Sequence, residues 1–303
     1  MSDALAADDV ELEVEGAQET ARGAAAIGRV AAAGARAAAL LGRRVLAGPI
    51  DPCGECEVCR RGGAAVCPRA RRRDAVGPAR RLTAAARWLV PLGDGLELPS
   101  PAGAAVAGDV AVAYTLYART GIGPREPVVV VGASPIARFL VEILRAKGAP
   151  PVVVADPADA GRSGSPGSPG SPGRPGWIDW LGARGAAVAR AGAASSDDEV
   201  RAAVAAELAA HGTSARPWRV LAASPEAARR AAALAGPRAT LSLLAPAPDL
   251  PGDLVLREVT VIGVAGAHPD LVVEAAAMCV KGEIDLAGGT TAQPDDPTRA
   301  HVR

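Results

Sequence analysis

Apolar and polar positions follow two different regimes along this chain, and the change of regime divides it. In the first third the pattern is short and irregular. Val10-Glu11-Leu12-Glu13-Val14 alternates with period two and predicts one strand, and 87–91 reads as another. Short apolar segments at 26–30 and 44–46 are separated by turns at Gly34 and Gly42, and 103–119 is alanine-rich with helical spacing. From Pro127 onward the pattern becomes regular. Four consecutive valines at 128–131 predict a buried strand, Gly132 a tight turn, 136–147 a helix stopped by Gly148, and 151–155 a second buried strand ending at Asp156. Helical and strand patterns then alternate: helices at 199–211 and 226–235, strands at 219–222, 240–244 and 259–264. A last helix opens at Pro269 and runs to Lys281, where Gly282 can end it. Such alternation predicts an α/β fold with a parallel sheet covered on both faces.

Two segments interrupt these patterns. Residues 69–81 are basic and contain proline, which reads as a solvated loop. Residues 163–176 hold Ser-Pro-Gly three times in succession, too short for a collagen triple helix and expected to be a flexible surface insertion.

Composition narrows the function classes. The 303 residues suit two lobes rather than one small core. Thirty-three basic and 33 acidic residues cancel, so no charge excess points to nucleic acid or an anionic membrane. No 18-residue apolar run is present, and the acidic first 15 residues lack the apolar core of a secretory signal. A cytoplasmic protein is expected.

Four of the five cysteines fall within fifteen residues: Cys53, Cys56, Cys59 and Cys67. Four thiolates with x₂ spacings match a closed tetrahedral zinc site with no position left for water or substrate. A redox dithiol is the lesser alternative, since Cys-x-x-Cys alone allows it. Cys279 lies in the last predicted helix and reads as core.

The Cys-x₂-Cys-x₂-Cys-x₇-Cys pattern resembles the structural-zinc lobe of zinc-containing medium-chain alcohol dehydrogenases, and Gly42-Arg-Arg-Val-Leu-Ala-Gly-Pro49 resembles the strand that leads into it. Gly266-Ala-His-Pro-Asp-Leu271 is similar to a segment in the branch that includes cyclic hydroxyacyl-CoA dehydrogenases. The resemblance implies a GroES-like β-barrel domain at 1–115, truncated at its start and carrying the zinc lobe at 53–67. A Rossmann domain with its doubly wound parallel sheet follows at 116–266, and a C-terminal helix and tail at 267–303 return toward the barrel. It implies one structural zinc ion per chain, NAD as cofactor, a homo-oligomer, and an alcohol, carbonyl or acyl-CoA substrate for an active member. Only 22 residues precede Gly23, so the first barrel strands are expected to be absent or rebuilt.

The same resemblance places the catalytic zinc ligands, and here the chain departs from it. No cysteine precedes Cys53. Ala24 and Ala25 stand where the family has the histidine and glutamate of a Gly-His-Glu motif, and alanine offers no lone pair to a metal. The third ligand falls near Gly108-Asp109, and one carboxylate cannot hold a catalytic zinc. Of the three histidines, His211 sits at a helix end and His301 in the tail. His268 precedes a helix and is, with Asp109, the functional candidate the sequence offers, with a helix-start role ranked above catalysis for it. Tyr114 and Tyr117 complete the groups offered for proton transfer.

Gly132-Ala-Ser134-Pro-Ile-Ala137 lies where a Gly-x-Gly-x-x-Gly phosphate turn belongs. Gly132 keeps the turn, Ala137 is an accepted third residue, and Ser134 puts a Cβ where the backbone should approach a pyrophosphate. The helix start should still offer free N–H groups to an anion. Asp156 is placed to bond a ribose 2′-hydroxyl and to repel a 2′-phosphate. The expectation is a dehydrogenase homologue with its catalytic zinc chemistry impaired or absent. A zinc-independent oxidoreductase and a zinc-stabilised interaction subunit are the alternatives.

Overall fold

The computed structural model describes residues 5–20, 22–74, 80–93, 98–155, 177–192, 194–212, 218–244, 247 and 250–286. The chain divides into two compact units, 1–111 with 266–303 and 112–265.

The first unit is built on an antiparallel sheet. Strand β1 (Asp9–Thr20) is far longer than the five-residue alternation suggested, and it pairs with β2 (Gly23–Ala33) along its whole length. The pairing shifts register between Glu11 and Leu12 and between Val14 and Gly16, burial alternates as far as Gly16, and the polar residues of 17–20 carry no alternation for the sequence to show. A strand thus fills the short segment before Gly23. Gly23 holds φ +129°, and a Cβ there would sit 2.5 Å from the Pro49 carbonyl, so only glycine suits the turn into β2.

Strands β3 (Arg44–Ala47), β4 (Ile50–Asp51) and β5 (Arg71–Arg72) follow, with the one-turn helix α1 (Glu57–Arg60) between β4 and β5. The basic run is not all loop: Arg81–Ala85 forms β6, which pairs with β1 and alternates its burial. The expected strand at 87–91 shortens to β7 (Leu89–Pro91), because Ala86–Trp88 makes a 3₁₀ turn. The main sheet runs β6-β1-β2-β3-β7, with β4-β5 as a separate pair. Val10, Leu12, Val14, Ala26, Val30, Val45 and Leu82 fill its core.

The helix expected at 103–119 is two helices. Helix α2 (Ser100–Ala105) runs into a π turn at Val106–Val110, and α3 (Ala111–Thr120) continues from it. The break is at Gly108, whose φ −99° and ψ −109° are not helical.

The second unit is a six-stranded parallel sheet in the order β10-β9-β8-β11-β12-β13. Its strands are β8 (Val128–Val131), β9 (Pro151–Ala155), β10 (Ala187–Arg190), β11 (Arg219–Ala222), β12 (Thr240–Leu243) and β13 (Thr260–Gly263). Helix α4 (Pro135–Ala146) links β8 to β9, and α5 (Trp177–Ala183) precedes β10. Helices α6 (Asp197–Ala210) and α7 (Ala228–Leu234) precede β11 and β12. Neither α5 nor β10 was anticipated: short alanine-rich segments give almost no periodic signal. The valines of β8 and β9 are buried on both faces, as a parallel sheet requires. Ser196 starts α6 with a capping box closed by Glu199.

Helix α8 (Pro269–Val280) belongs to the first unit, where it packs on the π turn. Among the described residues no helix is long and apolar enough to cross a membrane.

Candidate metal and nucleotide sites

The four clustered cysteines converge. Cys53 follows β4, Cys56 caps α1, Cys59 lies within that helix, and Cys67 ends a 3₁₀ turn. All four Sγ atoms lie within 4.8 Å of one another, the only such metal-ligating group among the described residues. Cys56 Sγ is 3.9 Å from Cys67 Sγ, which is 3.6 Å from Cys53 Sγ. A tetrahedron with Zn–S bonds of about 2.3 Å has S···S edges of about 3.8 Å, so the spacing fits zinc. Backbone N–H groups of Cys59 and Cys53 point at Cys56 Sγ and Cys67 Sγ, each at 3.4 Å. Such donors favour thiolate.

Burial and neighbouring donors pull the proton affinities of the cysteines apart. Backbone N–H groups of Glu55 and Cys56 hold the Cys53 thiol down at about 6. Desolvation, reinforced by the neighbouring sulfurs, pushes Cys59 up to about 12. Four negative sulfurs crowd each other unless a cation sits among them. Arg69 partners Cys53 on the outside of the group.

The segment around the cysteines is held by a buried ion pair, Asp51 with Arg73, and Arg73 Nη1 also donates to the Ile50 carbonyl at 3.2 Å. Burial pushes the Asp51 carboxyl up and the Arg73 guanidinium down, in each case against the attraction of the partner. His268 occupies the N-cap position of α8, yet its side chain makes no cap bond. Its Nε2 instead lies 2.7 Å from the carbonyl oxygen of Gly62, within the cysteine lobe. The helix-start role expected for it gives way to a contact across 206 residues, which no local pattern can signal. His211 does end α6, with Nδ1 2.8 Å from the Glu207 carbonyl oxygen. Cys279 is buried.

Ala24 and Ala25 are fully buried in β2. A Cβ on Gly108 would lie 3.4 Å from that of Ala25 and 2.5 Å from Gln18 Oε1, so these segments meet. Beside them Gln18 Nε2 donates to Asp109 Oδ2 at 2.7 Å, and desolvation pushes the Asp109 carboxyl up to about 6 against that hydrogen bond. Gln18 was missed in the sequence, where an isolated amide on a strand has no signature. Tyr114 and Tyr117 pair with ring centroids 5.9 Å apart, and the Lys147 ammonium lies over Tyr114.

In the parallel-sheet unit, the turn after β8 has the expected form, with Gly132 at φ +106°. Ser134 has a role not anticipated. Its backbone is extended, its Oγ accepts from the Ala137 N–H at 3.0 Å as the cap of α4, and it donates to the Ala223 carbonyl at 2.7 Å. Ala137 therefore does not offer a free N–H to an anion. Asp156, the 163–176 insertion and His301 lie outside the described residues.

No family model and no curated protein matches the sequence. Solved structures do match in shape. The short chain alcohol dehydrogenase rspB from Escherichia coli CFT073, complexed with NADH, superposes with a TM-score of 0.73 at 15% identity, over 93% of this chain and 83% of that one. The alcohol dehydrogenase TADH from Thermus sp. ATN1 gives 0.73 at 16% identity, over 94% and 86%. Galactitol-1-phosphate dehydrogenase from Escherichia coli gives 0.71 at 17% identity, over 95% and 86%. This chain has the fold of the zinc-type medium-chain alcohol dehydrogenases. At such identities the likeness speaks for the dehydrogenase fold, with its parallel Rossmann sheet and its antiparallel sheet, and the chemistry must be argued from the residues present.

Proposed function

We propose that the chain is a zinc-stabilised homologue of the alcohol dehydrogenases in which the catalytic metal chemistry is impaired or absent. The observation that carries this reading is the contrast within one unit. Cys53, Cys56, Cys59 and Cys67 gather four sulfurs at zinc-binding distances, whereas Ala24 and Ala25 are buried methyl groups and Ala25 lies against the Gly108-Asp109 turn. One zinc ion held by the four thiolates would tie β4, α1 and the 3₁₀ turn at Ala64–Val66 together, a structural task. Metal-assisted interconversion of an alcohol and a carbonyl needs an ion with an open position, and alanine supplies no ligand for one. Elemental analysis of purified protein tests the reading. One zinc per chain, lost on substitution of Cys59, is the expected result; a second zinc that survives Cys59→Ser defeats it.

A second reading is favoured by Asp109. A desolvated carboxyl that titrates near 6 can exchange a proton near neutral pH, the requirement for a metal-free acid or base. Turnover with alcohols, aldehydes or acyl-CoA substrates, lost in Asp109→Asn while fold and zinc content persist, would establish it. We place self-association at β13, an edge strand with Val261 exposed and Val255 and Leu256 nearby more than four-fifths exposed.

A further inference from the structure

We infer that Ser134 closes the dinucleotide crevice of the parallel sheet, so that this chain excludes nicotinamide dinucleotides from the place where its fold would seat their pyrophosphate. In a doubly wound sheet the crevice opens where the strand order reverses. Here β8 connects through α4 to β9 on one side, while β11 lies on the other, so the reversal falls between β8 and β11. A pyrophosphate in that crevice needs the backbone of the turn after β8 and the N–H groups that open α4.

Each of those resources is already committed. Pro135, the first residue of α4, has no N–H. Ala137 gives its N–H to Ser134 Oγ at 3.0 Å, which leaves Ile136 alone of these three positions. The Ser134 hydroxyl proton goes across the crevice to the Ala223 carbonyl, immediately after β11, at 2.7 Å. Two residues earlier in the turn, the space above Gly132 is filled from the β11 side as well. A Cβ there would lie 3.2 Å from both the Ala227 Cβ and the Ser224 Oγ. Ser134 thus caps the helix, crosses the reversal point and adds a Cβ to the turn. A dinucleotide would gain the Ala137 N–H only by breaking its bond to Ser134, and would meet the Ser134 Cβ and the bridge to Ala223 where the turn should approach its phosphates.

The inference concerns the parallel-sheet unit alone and holds whether or not the cysteines bind zinc. The test is calorimetric titration of the full-length, zinc-replete chain with NADH and NADPH, beside Ser134→Gly and Ser134→Ala, with circular dichroism and zinc content as controls for folding. The wild type should show no saturable binding up to about 1 mM, and Ser134→Gly should bind at least about tenfold more tightly, the scale of one recovered hydrogen bond to a charged group. Ser134→Ala keeps the Cβ and removes both bonds, so a smaller gain is expected, and it alone decides the matter if the glycine variant fails to fold. Micromolar binding of either dinucleotide by the wild type overturns the inference. So does the absence of any gain in the variants.

Discussion

Asp109→Asn should raise stability at neutral pH and do almost nothing in mild acid. Asp109 is a desolvated carboxyl hydrogen-bonded by the Gln18 amide, and burial lifts it from 3.8 to about 6. The folded state therefore holds its proton more tightly than the unfolded chain does. Below about pH 4 both states are protonated and the carboxyl is harmless. As pH rises toward 6 the unfolded chain ionises first, and the folded state loses ground throughout that window. Above it the full penalty applies. A shift of about two units at 1.36 kcal/mol each puts the penalty near 3 kcal/mol, an order-of-magnitude figure. Asparagine is neutral at every pH and can still accept the hydrogen bond from Gln18. Urea unfolding of both proteins at pH 3.5 and pH 8, followed by far-UV circular dichroism, reads the difference directly. The expected result is a gain of about 1–3 kcal/mol at pH 8 that shrinks to a few tenths in acid. A variant less stable than wild type at pH 8, or a difference independent of pH, would refute the burial argument and point to a cation partner for the carboxylate.

Cys59→Ser should remove the zinc, and because ligand binding is folding free energy at such a site, it should lower the melting temperature by more than 10 °C in calorimetry, on the order expected for several kcal/mol. Arg73→Ala leaves the buried Asp51 only the exposed Arg71 at 3.7 Å and should cost about 3 kcal/mol in denaturant unfolding, whereas the joint replacement of Asp51 by Leu and Arg73 by Met should recover most of it. Val261→Lys on the exposed edge strand should shift any dimer toward monomer in light scattering, with unchanged secondary structure.

What the sequence determined by itself was whatever depends on neighbours along the chain. The valine runs of β8 and β9 announce a parallel sheet because strands buried on both faces tolerate few polar residues. The glycine at 132 marks its turn, and four cysteines at x₂ spacings define a ligand set before any coordinates are known. Alanine at 24 and 25 likewise fixes what this chain cannot ligate. The tertiary structure decided everything that rests on distant partners. Strand β1 extends to Thr20 only because β2 pairs with it beyond the end of its alternation. Asp109 acquires its raised affinity for a proton from burial at the π turn, against the hydrogen bond that Gln18 brings from β1. His268 reaches Gly62, and Ser134 reaches Ala223, over separations that no periodicity encodes. A hydroxyl read from sequence as an obstacle became a bridge because its hydrogen bonds, unlike its volume, depend on which strand lies next to it.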